Sequence, residues 1–544
     1  MALTASYEVL LQTQRDAFQS ERQSATRSLR LERDGQTVRE CILASGYARE
    51  DYEDLMRAAA SVGDQKLVRA VESILASMRG QFDRPVSSFK AFQSVLLNYL
   101  RHEATRGWIY VRGRDGMLYP ELVVRVTYNP AHSSQDTPTV SIATLCYGLA
   151  NDDQRLGMAR HSHTFTAADV SRKRVADILA ARGIFKETAG LHEDHQMTLD
   201  VRDKLKLSLG LQLRVNGSLH ASAKRFEALP IKSASDHRVI FDMDADDYGP
   251  LSMSADSELF SASEDGHQDG CAPVPEHPLV RVFDLRLHEF YWVNASLTRR
   301  HEYDQSLRDK LILPPSHHDL LDVLTSDLSA FVDDVIEGKS AGNVILCKGI
   351  PGVGKTLTAE VYAELTERPL YSVHAGMLGT NAENINKGLS TIFARAKRWQ
   401  CVLLLDEADV FVSERSSNIH QNAIVAEFLR AMEYFDGLLF MTTNRSGDID
   451  EAIISRCGAI IDYQPPTPDQ ARRVWSLMAE KNGVVLDETL IDRLIHRFPG
   501  IVQRDIRNLM RLTLRMSKAR NLPLDEDLFR RCAMFRAVRM TQEN

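Results

Sequence analysis

The sequence predicts an α/β protein: a parallel sheet with helices on both faces, followed by a small helical domain and preceded by a helical region and a mixed α/β domain. Three observations carry this expectation. After Leu313-Pro314-Pro315, apolar runs at Asn343 to Lys348, Pro369 to His374, Cys401 to Leu405, Leu438 to Thr443 and Ala459 to Tyr463 alternate with helical stretches. Strands that are apolar almost throughout and separated by helices belong to parallel sheets buried on both faces. A glycine-rich turn follows the first of these strands, and from Pro465-Pro466 onward the periodicity is helical only.

A chain of 544 residues is too long for one core, and four regions are expected. Residues 1–105 form a helical N-terminal region. Gln12 to Arg33 lacks Pro and Gly, and Asp51 to Met78 repeats apolar residues near the helical period. Residues 106–310 form a mixed α/β domain. Trp108 to Arg112 and Leu122 to Tyr128 are β-rich runs on either side of an Asp115-Gly116 turn, and Val140 to Tyr147 is a further strand. Phe165 to Val170 leads into a helix ending near Gly183. Asp242 to Gly270, rich in Asp, Ser, Glu and Gly and without periodicity, reads as an acidic flexible loop, and Leu279 to Leu285 resumes as a strand. Residues 311–465 carry the parallel sheet and 466–544 the helical domain.

The net charge of −8 gives no overall sign of a nucleic-acid or membrane partner. The seven cysteines are scattered and lack CxxC spacing, which argues against a disulfide framework or a zinc ribbon. The N-terminus lacks a basic stretch followed by an apolar one, and no apolar run approaches the length needed to cross a bilayer. The expectation is a soluble cytoplasmic protein.

The glycine-rich turn reads Gly349-Ile350-Pro351-Gly352-Val353-Gly354-Lys355-Thr356. It matches the P-loop pattern, and it follows a strand and opens a helix, as the pattern requires. Glycines let the backbone wrap closely, so that N–H groups and the positive end of the helix point at phosphate oxygens. Gly349, Pro351, Gly352, Val353, Gly354, Lys355, Thr356 and the following Leu357 are therefore candidate nucleotide-binding residues. Lys355 would reach the β- and γ-phosphates, and the Thr356 hydroxyl would ligate Mg²⁺.

About fifty residues after Lys355, the run Val402-Leu403-Leu404-Leu405 ends in Asp406-Glu407. A buried parallel strand delivers its C-terminal end to the ligand crevice. Asp406 would hold the Mg²⁺ shell, and Glu407 would orient and deprotonate an attacking water. Asp409 reads equally as a helix cap or a site residue. A third strand ends in Thr442-Thr443-Asn444, where the Asn444 amide would fix the water or touch the γ-phosphate without adding negative charge.

With these residues in order, the stretch from about 313 to 515 resembles the AAA+ ATPases. The P-loop is followed by Asp406-Glu407, Asn444 and then Asp450-Glu451-Ala452-Ile453-Ile454-Ser455-Arg456. The resemblance implies a P-loop sheet of order 5-1-4-3-2 with a C-terminal helical lid, and ATP and Mg²⁺ as cofactors. It implies Asn444 as sensor 1 and Arg456 as an arginine finger entering a neighbouring subunit's site. Arg504, with Arg507 second, is implied as sensor 2. Guanidinium groups in these places would stabilise charge on the transferring phosphoryl. A homo-oligomer, a hexamer by resemblance, and a protein client bound by the N-terminal region are the partners implied. Leu378-Gly379-Thr380, Val402 to Val412, Phe428-Leu429-Arg430 and Thr442-Thr443-Asn444-Arg445 look most like AAA family ATPases of fungi and bacteria that carry a long N-terminal region before one ATPase module.

Three readings of the activity follow. The first is a ring-forming, Mg-ATP-dependent remodeller of a protein partner. The second is a nucleotide-gated binding switch, because the loop Ala375 to Asn381 lacks the aromatic residue with which many AAA+ unfoldases grip substrate. The third is a loader on DNA, because Ser455-Arg456-Cys457 is similar to the finger motif of clamp loaders and the lid is arginine-rich; against it, the basic lid is expected to face an acidic neighbouring subunit. His161-Ser162-His163 and His192-Glu193-Asp194-His195 have metal-like spacing, but no cysteine joins them at ligand spacing, so surface or hydrogen-bonded histidines are expected there.

Overall fold

The computed structural model describes residues 49–131, 136–149, 156–205, 208–221, 232–244, 253–260, 270–326, 343–378, 382–414, 419–433, 435, 437–445, 447, 449–536 and 538, with 4–5, 9, 12 and 41–42. Apart from its first residue, the stretch Gln12 to Arg33 lies outside them.

Three helices, α1 (Arg49–Val62), α2 (Gln65–Met78) and α3 (Phe89–Arg101), open the described fold. Asp64 caps α2 by accepting from Leu67 N, and Ser88 caps α3 by accepting from Lys90 N. Their apolar faces do not close on themselves. Ile74, Phe92 and Leu96 share one core with Ile109, Val123, Ile142 and Phe165, which belong to an antiparallel sheet of β1 (Trp108–Arg112), β2 (Leu118–Asn129), β3 (Thr139–Leu149), β4 (Leu156–Thr166) and β5 (Ile184–Lys186). The spatial order is β4-β3-β2-β1-β5. Between β4 and β5 lie α4 (Ala167–Val170) and α5 (Val175–Ala181), and α6 (Ala189–Lys204) follows.

A second sheet is built from β6 (Gln212–Ala221), β7 (Lys232–Phe241), β10 (Leu279–Asp284), β11 (Glu289–Asn294) and β12 (Thr298–Arg300). Its order is β11-β10-β7-β6-β12, and β11 also pairs with β6, so the four longer strands curl into a closed ring. A bulge between Val215 and Gly217 helps β6 to bend. Between β7 and β10, the short strands β8 (Ser254–Asp256) and β9 (Cys271–Pro273) pair with each other.

The stretch Asp242 to Gly270, expected as a solvated loop, differs where it is described. Asp242 is buried and accepts from Arg398 Nε at 2.9 Å and Nη2 at 2.7 Å. Ser257 and Leu259 are buried, and Met253 and Ala255 are partly so. This period-two pattern is short and carries small or polar residues, which is why composition hid it.

The helices α7 (Leu307–Lys310) and α8 (Pro315–Ser326) lead into the parallel sheet. Its strands are β13 (Asn343–Gly349), β14 (Leu370–His374), β15 (Val402–Asp406), β16 (Leu438–Thr443) and β17 (Ala459–Tyr463), in the order β14-β15-β16-β13-β17. Counted from β13 as the first, this is the order 5-1-4-3-2. Helices α9 (Lys355–Leu365), α10 (Ala382–Trp399), α11 (Asp409–Val412), α12 (Ile419–Glu433) and α13 (Glu451–Ile454) connect the strands. One face buries Leu346, Leu403, Leu405 and Met441 against α10 and α12, and the other buries Ile345, Leu404 and Phe440 against α9. The lid is α14 (Pro468–Lys481), α15 (Glu488–Arg497), α16 (Gln503–Arg520) and α17 (Glu526–Met534), closed around Trp475 and Phe529. No helix of the described residues is long and apolar enough to cross a membrane.

The curled sheet and the parallel sheet share a core. Phe283 packs at a tilt against Trp399 at 4.8 Å and meets Tyr371 edge-on at 5.5 Å, centroid to centroid. In the last turn of α9, Glu364 accepts from Arg238 Nη1 at 2.7 Å and from Asp304 N at 3.1 Å, and His301 Nε2 lies 3.3 Å from it.

Of the histidines on α6, His192 is bonded to Tyr110, Thr105 and Glu187, while His195 is buried against the edge of Trp108. Burial, aided by the nearby Arg202 and Arg106 guanidiniums, pushes His195 down from 6.5 to about 4. Its folded value lies below its unfolded one. Stability is therefore complete above 6.5 and is lost as the pH falls towards 4, because the unfolded chain takes up the proton first. We expect His195→Leu to lose less Tm than the parent between pH 7 and pH 5 in thermal melts.

Candidate nucleotide site

The parallel register sets the site. Lys348 pairs with Thr443, and Leu405 with Met441. The C-terminal ends of β13, β15 and β16 therefore open on one rim, where a cavity of about 390 Å³ lies between the sheet and the lid.

The turn after β13 is held by left-handed glycines. Gly349, Gly352 and Gly354 have φ of +144°, +94° and +103°. A Cβ on Gly349 would lie 2.4 Å from the Tyr463 carbonyl oxygen on β17. The lid is tied to this turn, since Arg504 N donates to Gly352 O at 3.1 Å. Lys355, at the first position of α9, is buried and donates to Gly349 O at 2.8 Å, Ile350 O at 3.0 Å and Asn444 Oδ1 at 2.9 Å. Burial pulls its pKa below the usual lysine range against the opposing pull of Asp409, Cys347 and Asp406. Thr356 Oγ1 donates to Asp406 Oδ1 at 2.9 Å.

Glu407 adopts φ +53°, a left-handed backbone that costs a non-glycine residue about 1 kcal/mol or more. Its N–H donates to Thr442 Oγ1 at 3.0 Å, and its carboxylate lies 3.2 Å from His374 Nε2. Asp409 opens α11 and also accepts from Thr443 Oγ1 and from Asn444 N, the latter at 3.0 Å. It fixes the strand end that carries Asn444.

Pro351, Gly352, Gly354, Lys355, Thr356, Leu357, Asp406, Glu407, Asn444 and Arg504 line the cavity, and Arg507 joins them. Two of the expected contact residues serve from behind: Val353 is buried in the core beside Val502, and Gly349 pairs with Tyr463 and lets the chain pass close against β17. Arg456 does not line the cavity. It follows α13, donates to its own Ala452 O at 3.1 Å and lies 3.8 Å from Glu433.

Four residues were missed by sequence reasoning. Thr442 donates to Asp406 Oδ1 at 2.5 Å while receiving Glu407 N, so one hydroxyl holds both carboxylate positions. A polar β-branched residue in the last turn of an apolar strand was the available signal. Glu360 lies one turn beyond Thr356 on α9, and burial, with Asp406 adding to it, raises its pKa. Met478 and Gln503 arrive from the lid, and no local pattern announces them. Hard oxygen donors at Thr356 and Asp406 suit Mg²⁺, and the cations Lys355, Arg504 and Arg507 suit phosphate oxygens.

The model of the family described as "ATPase family associated with various cellular activities (AAA)" matches residues 345–465. Spastin of Anopheles gambiae is 27% identical over 221 residues, covering 38% of this chain and 25% of spastin. The ATP-dependent zinc metalloprotease YME1L of Drosophila melanogaster is 26% identical over 180 residues, covering 30% of this chain and 24% of that protein. The chain thus spans about a quarter of the length of these relatives. Among solved structures, the FIGL-1 AAA domain in complex with ADP aligns at 20% identity over 42% of this chain and 83% of that one, with a TM-score of 0.33.

We expect Gly349→Ala to lower the Tm by several degrees, on the order of 2 kcal/mol, because its Cβ meets main chain that cannot yield. An unchanged melt would show that β17 can shift. With a parallel sheet of this order, a P-loop at its rim and the AAA model matching residues 345–465, the chain carries an ATPase domain of the AAA+ superfamily.

Proposed function

We propose that the protein hydrolyses ATP with Mg²⁺ at the rim of the parallel sheet, and that it does so in a ring in which one subunit supplies an arginine to the next. The observation that carries the first part is the convergence of three separate strand ends in one cavity. Lys355 and Asn444 touch at 2.9 Å, as do Thr356 and Asp406.

In this reading the loop from Gly349 to Gly354 and the N-terminus of α9 hold the phosphates through backbone N–H groups. Lys355 neutralises the β- and γ-phosphates. Thr356 and Asp406 would hold Mg²⁺, which supplies Lewis-acid neutralisation of phosphate charge when bound. Glu407 takes the proton of the attacking water, Thr442 fixes its backbone, and Asn444 orients the water. Arg504 and Arg507 meet the phosphates from the lid, so that lid closure and phosphate binding favour each other.

Arg456 is suited to a different site from its own. It stands off the cavity, half-exposed, just past the short helix α13. In a ring it would reach the neighbour's phosphates, and hydrolysis would then depend on assembly. The N-terminal region would bind a protein client.

A second reading, a nucleotide-gated binding switch, has its own support. Among the described residues of the loop after β14, Leu378 is buried in the core and Met377 is the one large apolar side chain exposed, which leaves little to grip a threaded polypeptide. Glu364, at the end of the P-loop helix, is held by Arg238, His301 and Asp304 of the middle region. Movement of α9 would then be felt there directly. Client unfolding that depends on Met377 would count against this reading.

Steady-state ATPase measurements against protein concentration test both parts. Glu407→Gln is expected to lose about 10²–10⁴-fold in kcat; turnover at the parent rate would refute its role as base. The parent rate per subunit should rise with concentration, and Arg456→Ala should lose about a hundredfold or more at all concentrations. A concentration-independent rate unchanged by that substitution would refute the arginine in trans.

A further inference from the structure

The first antiparallel sheet, outside the residues that match the AAA model, brings together a cluster that the ATPase reading does not use. Thr144 on β3 pairs with His161 on β4, and Ile142 with His163. Leu122 on β2 pairs with Leu145, so Glu121 stands across from Cys146. Side chains of a strand alternate between faces, and Glu121, Thr144, Cys146, His161 and His163 all fall on one face. The helices α1 to α3 cover the other half of that face. This half opens on a cavity of about 350 Å³ lined by Glu121, Cys146 and His161 together with Tyr119, His220 and His277.

His161 Nδ1 lies 2.8 Å from Glu121 Oε1 and 3.9 Å from Cys146 Sγ, and the three ligand atoms lie within 4.8 Å of one another. The other oxygen of Glu121 is held by His163 Nε2 at 2.7 Å and by Thr144 Oγ1 at 2.6 Å. Glu121 is only 5% exposed.

The geometry points to a binding site for a zinc-class divalent cation, with Glu121, Cys146 and His161 as ligands and the cavity supplying the fourth position. Ligand atoms in a tetrahedral zinc site stand about 3.3–3.6 Å apart, as follows from Zn–N and Zn–O near 2.0 Å and Zn–S near 2.3 Å. The observed 2.8 and 3.9 Å bracket that spacing. A thiol–imidazole–carboxylate triad for nucleophilic catalysis fits less well. It places the thiol on one ring nitrogen and the carboxylate on the other, whereas here both face Nδ1. Convergence of three donors on one point is what a cation satisfies. Sulfur and imidazole donors select zinc-class ions over Mg²⁺ or Ca²⁺, so this site is chemically separate from the nucleotide site. His163 and Thr144 are positioning residues, fixing the carboxylate that carries one donor. Three protein ligands with one position open to a cavity leave room for water or for a donor group of a small molecule.

Cobalt substitution tests the assignment. The full chain, treated with chelator and dialysed, is titrated with Co²⁺ and then with Zn²⁺. One Co²⁺ per chain should bind with tetrahedral visible bands and a thiolate-to-cobalt band in the near ultraviolet, and Zn²⁺ should displace it. Cys146→Ser should abolish the thiolate band. His163→Asn should keep the band but weaken Zn²⁺ binding about 10–100-fold, which a merely structural role would not do. Each variant's thermal melt establishes that it is folded; should Cys146→Ser fail to fold, His161→Gln, expected to lose tetrahedral cobalt binding, takes its place. Absence of stoichiometric Co²⁺ binding by the parent, or a thiolate band that survives Cys146→Ser, would overturn the site.

Discussion

The register of the parallel sheet is the constraint on which the rest of the structure depends. β13, β15 and β16 each end in a residue with no business in an apolar core: Gly349, Asp406 and the Thr443-Asn444 step. With Leu405 beside Met441 and Lys348 beside Thr443, these ends meet at one rim. A slip of one residue in β15 would turn Leu403 and Leu405 to the opposite face, send Leu404 to theirs, and carry Asp406 away from Thr356 and Thr442. The apolar residues that specify the register are buried on both faces, so the energy that forms the sheet also aims the carboxylates. The left-handed backbone of Glu407 is a local cost borne by that buried scaffold.

The P-loop helix α9 transmits this arrangement outward. Lys355 and Thr356 at its start touch Asn444 and Asp406, and Glu364 in its last turn accepts hydrogen bonds from the curled sheet and the segment that follows it. Eleven residues of helix span about 16 Å. The cation-lined cavity and the middle region are thus opposite ends of one rigid element. Phe283 against Trp399 and Arg398 on Asp242 make the same junction from α10. Glu364 and Asp242 are both buried, and removing a partner from a buried charge costs far more than an exposed ion pair is worth.

What was legible in the sequence follows from the range of the forces involved. The parallel strands were legible because burial on both faces writes an uninterrupted apolar run, and Trp108 to Arg112 because aromatic and β-branched residues cluster there. The P-loop, Asp406, Glu407 and Asn444 were legible because each sits at a fixed place on a strand or helix end. The edge strand β4 was not, since its alternation of His161 and His163 with Arg160 and Ser162 writes no apolar face. Asp242 read as solvent-facing because its partner, Arg398, lies 156 residues away. The histidine pair was set aside for want of a neighbouring cysteine; Cys146 reaches it only through the pairing of β3 with β4. Met478 and Gln503 reach the cavity because the lid packs over it, which no local pattern could announce.

Hydrolysis at this rim requires a triphosphate to be held between the P-loop and the facing strand ends. The most direct measurement is equilibrium binding of a fluorescent ATP analogue with Mg²⁺ to the parent and to Lys355→Ala, each shown to be folded by its thermal melt. Lys355 bridges the P-loop carbonyls and Asn444, so its loss should weaken binding about tenfold or more, as expected for a charge-assisted contact of roughly 1.5–3 kcal/mol. Saturable binding of equal affinity in both proteins would contradict the account.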